Sequence, residues 1–595
     1  MKNMYSKIML SLILSAGVMS ANNAEAFKLS VFHVNDIHSH IASERMKLKV
    51  DGVKTYMQIG GYARMVNQLK KLKAKKPNSL VLNAGDTFQG TLFYSLFKGK
   101  ADAKALNLIS WDAYALGNHE FDDGDKALAD FLDLLDDDIT MLAANVVPDK
   151  GNILEGKWSP YVIKQVGKEK IGIIGIDIVG KTVKSSNPSD EIKFSNEITT
   201  AQKYIDELKE KGINKIIVLS HQGYKNDLKM AAALSGVDII VGGDSHSLLG
   251  DFSNLGLKST SNDYPSIVTS KENKQVCVVQ AWEYAHLLGD LDVVFDKQGD
   301  VLYCTGEPKI LAGDVFKRKN KDGKKVEVSL EEKTKILNIL NAASNIDIVE
   351  ENKEALKIVK EYEDKVNVKK AAVIGSAGEE IGHSRIPGDT YDKRNTLPLG
   401  SDIAAIVAKS FYDLSKLADA CIQNAGGVRT PIMKGEINMG DAYSLLPFSN
   451  TLFEIQMTGK EIKQVLEDAI ANVKTGGSTG SFPYSYALKY DVDMSKDINN
   501  TISNLEILDR KTQVWGDLIE DKMYTIVTNS YTAGGKDGYT TFKTVQDKRG
   551  KGVDTYLDYA LSFVKYVEHK KHNSQEVMIL PKDLHSIKSF KAASK

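Results

Sequence analysis

Between residue 27 and about residue 310 the chain repeats one pattern. A short apolar run is followed by an amphipathic helical stretch, and several runs stop on a polar cluster. The runs are "LSVFHVND", "SLVLNAGD", "DAYALGNHE", "ITMLAANV", "KIGIIGID", "KIIVLSHQG" and "VDIIVGGDSHS". Between them lie helical stretches such as "GGYARMVNQLKKLKAKK" and "TTAQKYIDELKEKG". Strands without polar alternation are buried on both faces, and strands alternating with helices build an α/β fold. The polar ends are Asn35-Asp36, Gly85-Asp86, Asn118-His119, His221 and His246. In α/β sheets the carboxyl ends of the strands are where ligands collect.

The N-terminus carries Lys2 and Lys7, an apolar run from about Ile8 to Met19, and then Ala24-Glu25-Ala26. This reads as a secretory leader over 1–26, cleaved before Phe27. The run is short for a bilayer span, and no later stretch approaches that length, so no stable membrane anchor is expected. Export to a periplasmic or extracellular space follows. A formal net charge of −1 gives no electrostatic case for a nucleic-acid partner. The three cysteines, Cys277, Cys304 and Cys421, form no CxxC motif. Cys277 and Cys304 lie in strand-like runs, where a disulfide and two buried thiols are equally open.

The expected boundaries are a catalytic domain over 27–330, a helical linker region over 331–366, a second α/β domain over 367–570 and a tail over 571–595. Residues 318–330 read as a surface loop. The charged segment 351–366, "ENKEALKIVKEYEDKV", reads as an exposed helix and a candidate hinge.

A D-x-H pair, Asp36 and His38, can direct a carboxylate oxygen and an imidazole nitrogen at one metal ion. Asp86 has two oxygens with which to bridge two ions. His221 and "GGDSHS" add further donors. Any one of these clusters is weak evidence; five strand ends carrying nitrogen and oxygen donors are strong evidence. With metal ions to activate water, no serine or cysteine nucleophile is required.

In order and spacing, "NDIHSH", "NAGD", "GNHEFD", "LSHQG" and "GGDSHS" resemble the calcineurin-like metallophosphoesterases. "GGYAR" and "GNHEFDDG" narrow the resemblance to the 5′-nucleotidase branch, which includes UDP-sugar hydrolases and NAD-hydrolysing nucleotidases. The resemblance spans about 28–545. It implies a four-layer α-β-β-α sandwich joined by a helix to a second α/β substrate-binding domain. It further implies two divalent ions, zinc first, with manganese or cobalt as the other candidates. Asp36, His38 and His246 would hold one ion. Asn118, His221 and residue 244 would hold the other, with Asp86 bridging. The family usually has histidine where this chain has Asp244. Either the carboxylate ligates with altered metal preference or the second ion is held more weakly. The same aspartate inclines the reading toward NAD-hydrolysing members.

His119 and Asp122 correspond to the family's catalytic dyad, while Glu120 and Asp123 read as surface or supporting residues. In the second domain, "QNAGGVRTPI", "LLPFSNTLF" and "NSYTAGGKDGYTTF" resemble the family's nucleoside reader. There Phe448 and Tyr531 would sandwich the base, and Asp537 would bind ribose hydroxyls. Asn424, Arg429, Asn450 and Arg394 would contact polar groups of the substrate. The implied activity is hydrolysis of nucleoside monophosphates, extending to NAD or UDP-sugar pyrophosphates. The competing class is a nucleotide-binding or adhesive surface protein with an impaired site.

Overall fold

The computed structural model describes residues 26–388, 397–448, 450–475, 478–550 and 552–592. The expected leader, but for its last residue, and Arg394 lie outside them. The chain divides into two compact units that part near residue 362.

In the first unit the elements that frame the strand ends are, in chain order, β1 (Phe27–Val34), α1 (Tyr62–Lys75), β2 (Ser79–Asn83), β3 (Ala113–Ala115), α2 (Gly124–Leu132), β4 (Met141–Leu142), β5 (Tyr161–Val166), β6 (Glu169–Asp177), α3 (Val179–Ser185), α4 (Glu197–Glu210), β7 (Ile216–His221), α5 (Tyr224–Ala233), β8 (Ile239–Gly242), β9 (Ser266–Thr269), β10 (Gln275–Gln280), β11 (Leu287–Phe295) and β12 (Val301–Gly306). The order β11-β1-β2-β3-β4 forms the heart of a twelve-stranded mixed sheet, and β9-β10-β8-β7-β6-β5 forms a second, six-stranded one. β1, β2, β3 and β4 run parallel, as do β6, β7, β8 and β10.

Side chains alternate across each strand, so an apolar run feeds two cores. Leu29, Val31, Leu80 and Leu82 of the first sheet share one core with Ile173, Ile217, Leu219 and Val241 of the second. Phe32, Val34 and Val81 turn the other way, onto Tyr62 and Met65 of α1 and Phe131 of α2. On the second sheet Ile174, Ile176, Val218 and Ile240 pack under Ile205 and Leu208 of α4 and Met230 of α5. Cys277 on β10 and Cys304 on β12 are disulfide-bonded, with Cα atoms 6.5 Å apart, which settles their pairing and ties the second sheet to the first.

Three expectations about connecting segments change. Residues 318–330 include part of a small hairpin, strands Lys317–Lys319 and Lys325–Glu327, rather than a plain loop. The helical region 331–366 is broken. Helices α6 (Leu330–Ala342) and α7 (Lys353–Lys370) are separated by strand Ile346–Ile348, which pairs with Lys309–Ala312. Ile346 is buried there among Ile310 and Leu340, and that burial outweighs continued helix.

The second unit contains α8 (Asp402–Leu414), β13 (Ala420–Asn424), β14 (Thr451–Thr458), α9 (Gly459–Lys474), β15 (Pro483–Tyr486), β16 (Leu488–Asp493), β17 (Met523–Asn529), β18 (Val553–Asp558), α10 (Tyr559–His572) and β19 (Ile587–Lys591). Its main sheet has the order β15-β13-β17-β14-β18. α9 starts with a reciprocal cap between Thr458 and Glu461, the T-x-x-E signature of a helix start. The third change is in the segment read as a peripheral tail: β19 pairs in parallel with β16, and Ile587 is buried. Among the described residues no helix is long and apolar enough to cross a membrane.

Candidate active site

The loops that follow β1, β2, β3 and β8 are laced into one another by hydrogen bonds from backbone N–H groups. Asp36 N–H donates to Gly85 O (2.9 Å), and His38 N–H donates to Asp86 O (3.0 Å). His119 N–H donates to Asp86 Oδ1 (2.9 Å), and Asp244 N–H donates to Asp36 Oδ1 (3.1 Å). Asp36, His38, Asp86, Asp244 and His246 all have positive φ, between 46° and 69°. Asn, Asp and His tolerate that region better than other non-glycine residues, yet it costs energy, and such residues cluster at functional sites. Gly243 is required by proximity: a Cβ there would stand 2.6 Å from His221 Nδ1 and from Ala84 O.

Three imidazoles are oriented alike. His38 Nδ1 donates to Phe88 O (2.8 Å), His221 Nδ1 to Ala84 O (2.6 Å) and His246 Nδ1 to Glu283 Oε2 (2.6 Å). A ring nitrogen bound to an acceptor carries the hydrogen, so each Nε2 presents its lone pair inward. Those Nε2 atoms face carboxylates and each other. His221 Nε2 lies 2.9 Å from Asp86 Oδ2, and His38 Nε2 lies 3.8 Å from the same oxygen. His246 Nε2 lies 3.4 Å from Asp36 Oδ1, and His38 and His221 Nε2 each lie 3.9 Å from it. His38 and His246 Nε2 are 3.1 Å apart.

Lone pairs and carboxylates repel one another at these distances unless cations or protons stand between them. The protein's charges record that tension. Despite burial, Asp86 and Asp36 hold His221 well above the ordinary imidazole range. Burial pushes His38 well below it. Both polar atoms of the Asn118 amide are buried without a hydrogen-bond partner, which a buried amide rarely tolerates unless something else coordinates it. Asp36, His38 and His246 form one compact donor group, and Asp36, Asp86 and His221 form another. A nitrogen and oxygen donor set of this kind fits divalent metal ions. Asp244 stands in neither group; its Oδ1 accepts a hydrogen bond from Lys181 Nζ at 2.6 Å.

His119 opens a short 3-10 turn after Asn118. Its Nδ1 is 2.6 Å from Asp122 Oδ2, and its ring meets the His38 ring edge-on with centroids 5.2 Å apart. Burial opposes protonation, but Asp122 and Asp86 outweigh it and raise the His119 pKa.

Of the two readings of Glu120, surface or supporting, the structure takes the second, while Glu283, Tyr284 and Lys181 escape the reading of the sequence. Glu120 is buried, not on the surface. Its carboxylate accepts from the N–H groups of Asp86 (3.1 Å), Thr87 (2.7 Å) and Gly117 (2.7 Å), which fastens the loops after β2 and β3 together. Asp123 accepts from Tyr94 Oη (2.8 Å) and Lys98 Nζ (2.9 Å). Glu283, which fixes His246, and Tyr284, whose ring stacks on His40 at 4.0 Å, lie in "QAWEYAH", a segment with no motif to mark it. Lys181 stands in "GIDIVGKT", a G-x-x-x-x-G-K-[ST] string whose first glycine lies inside β6 and second inside α3, and it is ion-paired with Asp244.

In the second unit Asn424 Nδ2 donates to Asp537 Oδ2 (3.1 Å), and Tyr531 Oη donates to Asp537 Oδ1 (3.1 Å). The Arg429 guanidinium lies 5.7 Å above the Phe448 ring. Phe448 and Tyr531 are 44% and 43% exposed, unusual for large aromatic residues. For Asn450, the backbone carbonyl caps the start of α10 by accepting from Tyr559 N–H (3.1 Å).

Comparison with known proteins agrees with this geometry. Residues 29–248 match the calcineurin-like phosphoesterase family, and residues 380–544 match the 5′-nucleotidase C-terminal domain. The chain is 39% identical to the NAD 5′-nucleotidase of Haemophilus influenzae over 556 residues, covering 92% of this chain and 91% of that protein. It is 30% identical to the 5′-nucleotidase of Bos taurus, covering 91% and 89%. The solved structure of the Haemophilus influenzae NAD nucleotidase superposes with a TM-score of 0.87 at 38% identity, covering 96% of this chain and all of that one. Two α/β domains in this order, with buried His and Asp donors at the strand ends of the first, make this chain a member of the 5′-nucleotidase family and a metal-dependent phosphoesterase.

Proposed function

We propose that this chain is an exported dimetal nucleotide hydrolase that releases phosphate from nucleoside 5′-monophosphates and also cleaves the pyrophosphate of NAD. The observation that carries this reading is the convergence of three imidazole Nε2 atoms on Asp36 and Asp86, beside the unpartnered Asn118 amide. The first unit is read as a four-layer α-β-β-α sandwich, which supplies those strand ends.

Asp36, His38 and His246 would hold one ion. His221 and Asn118 would hold the other, with Asp86 shared between them. Zinc suits the imidazoles, and the oxygen donors also accept manganese or cobalt. When bound, two such ions stabilise charge on the phosphoryl oxygens and lower the pKa of the attacking water. The protein's own part is orientation and proton transfer. Asp122 fixes the His119 ring through Nδ1, leaving Nε2 to stabilise the transferring phosphoryl group and give a proton to the leaving oxygen. The nucleoside is read in the second unit by Phe448 and Tyr531 through stacking, by Asp537 and Asn424 at the ribose, and by Arg429, Asn450 and Arg394 at polar groups. The extended similarity to the Haemophilus NAD 5′-nucleotidase supports the dinucleotide. The leader sequence and the Cys277–Cys304 disulfide support an oxidising, extracytoplasmic location.

Phosphorus NMR of AMP and NAD incubated with the protein, with and without EDTA, tests the reading. Phosphate from AMP, and phosphate or AMP from NAD, are expected, and both reactions should stop on chelation. Absence of metal-dependent turnover of either substrate overturns it.

A further inference from the structure

Lys181 has no part in the reaction as described, yet its ammonium stands in the same site. It lies on α3, the helix that follows β6. Its Nζ is 2.6 Å from Asp244 Oδ1, and the two side chains are only 13% and 12% exposed. Asp244 is itself firmly placed. Its φ is 69°, its N–H is bound to Asp36 Oδ1, and its Oδ2 packs 3.0 Å from where a Cβ on Gly223 would stand. The pair borders the donor groups, because the Asp244 N–H is bound to Asp36 and His246 follows two residues on.

Asp244 is outside both donor groups, and its Oδ1 accepts from Lys181 Nζ. The lysine is held largely out of water, where a charge is costly unless it is paired. Asp244, whose N–H is bound to Asp36, thus holds a compact, flexible cation at the edge of the donor groups. A lysine serves phosphate as such a point charge.

We propose that Lys181 contacts the substrate phosphate, and that Asp244 positions the Lys181 ammonium rather than ligating a metal ion. This inference rests on the hydrolase reading above. With both ions bound, the ammonium makes the site more positive, which favours a phosphate dianion or a pyrophosphate over a neutral ester.

The test uses the full-length, metal-loaded protein as wild type, Lys181→Met, Lys181→Arg, Asp244→Asn and the Lys181→Met/Asp244→Asn double variant. Metal content is measured by plasma mass spectrometry, binding of inorganic phosphate by titration calorimetry, and KM and kcat with AMP. Lys181→Met is expected to keep both ions and to bind phosphate roughly tenfold to a hundredfold more weakly, the loss expected for one charged hydrogen bond. KM should rise in parallel, and Lys181→Arg should recover most of the affinity. Asp244→Asn is expected to keep both ions, and its effect on phosphate binding should vanish in the Lys181→Met background.

Phosphate affinity within twofold of wild type in Lys181→Met overturns the contact. Loss of one metal equivalent in Asp244→Asn, or an additive cycle, overturns the positioning role and makes Asp244 a ligand. If phosphate binding depends on Lys181 but no nucleotide is turned over, the hydrolase reading fails while the contact stands.

Discussion

His119 and Asp122 show how much one hydrogen bond decides. The 2.6 Å contact from Nδ1 fixes which ring nitrogen carries the hydrogen, and a 3-10 turn holds both residues close enough to make it. Replacing His119 with Ala should lower kcat by about 10²–10⁴-fold, the usual worth of a positioned acid, with metal content unchanged. Asp122→Asn keeps the ring in place but loses the carboxylate charge, so a smaller loss is expected. Steady-state kinetics with plasma mass spectrometry on the same samples checks both. Wild-type turnover in His119→Ala would remove the dyad from the reaction. The His119–Asp122 contact was legible because "GNHEFD" places both residues within one turn. The Glu283 support of His246 was not legible, because 37 residues and a strand crossing separate the two partners.

At the scale of an element, the start of β7 depends on a carboxylate from the start of β8. Asp238 Oδ2 accepts from Ile216 N–H at 2.7 Å, and Asp238 N–H returns a bond to Ile216 O at 3.0 Å. Burial raises the Asp238 pKa to about 8 from an ordinary 3.8; the Ile216 N–H opposes this, Asp300 adds to it, and Lys215 and Lys274 oppose it. Between those values the folded protein keeps a proton that the unfolded chain has released. Its contribution to stability is therefore full below about pH 3.8 and is lost as pH rises through about 8. Asp238→Asn keeps an acceptor oxygen without the ionisation. Its stability relative to wild type should rise between pH 5 and pH 8, by up to about 1.4 kcal/mol per pH unit. Urea denaturation at three pH values measures this, and a flat difference would contradict it. The strands themselves were read correctly from continuous apolar runs. The break between α6 and α7 was not, because Ile346 fits an exposed helical stripe equally well until Ile310 and Leu340 are seen around it.

Across the whole molecule, the two units should respond differently to metal. Ligands that bind only the folded state stabilise what they hold together, and among the described residues the donor groups lie in the first unit. Chelating the ions should speed hydrogen exchange at the amides of Asp36, His38, His119 and Asp244, which stitch the strand-end loops. Exchange at Ile526 and Val527 on β17 should stay unchanged. Equal acceleration in both units would argue against a metal site confined to the first. The sequence by itself determined the α/β class, the two-domain order and the strand-end donors. Continuous apolar runs and the polar residues that terminate them are local properties of the chain. Only the tertiary structure decided that Cys277 pairs with Cys304, that Glu120 is a buried fastener, and that Asp244 faces Lys181. Each of these depends on which distant segments meet, and sequence separation says nothing about where their side chains converge.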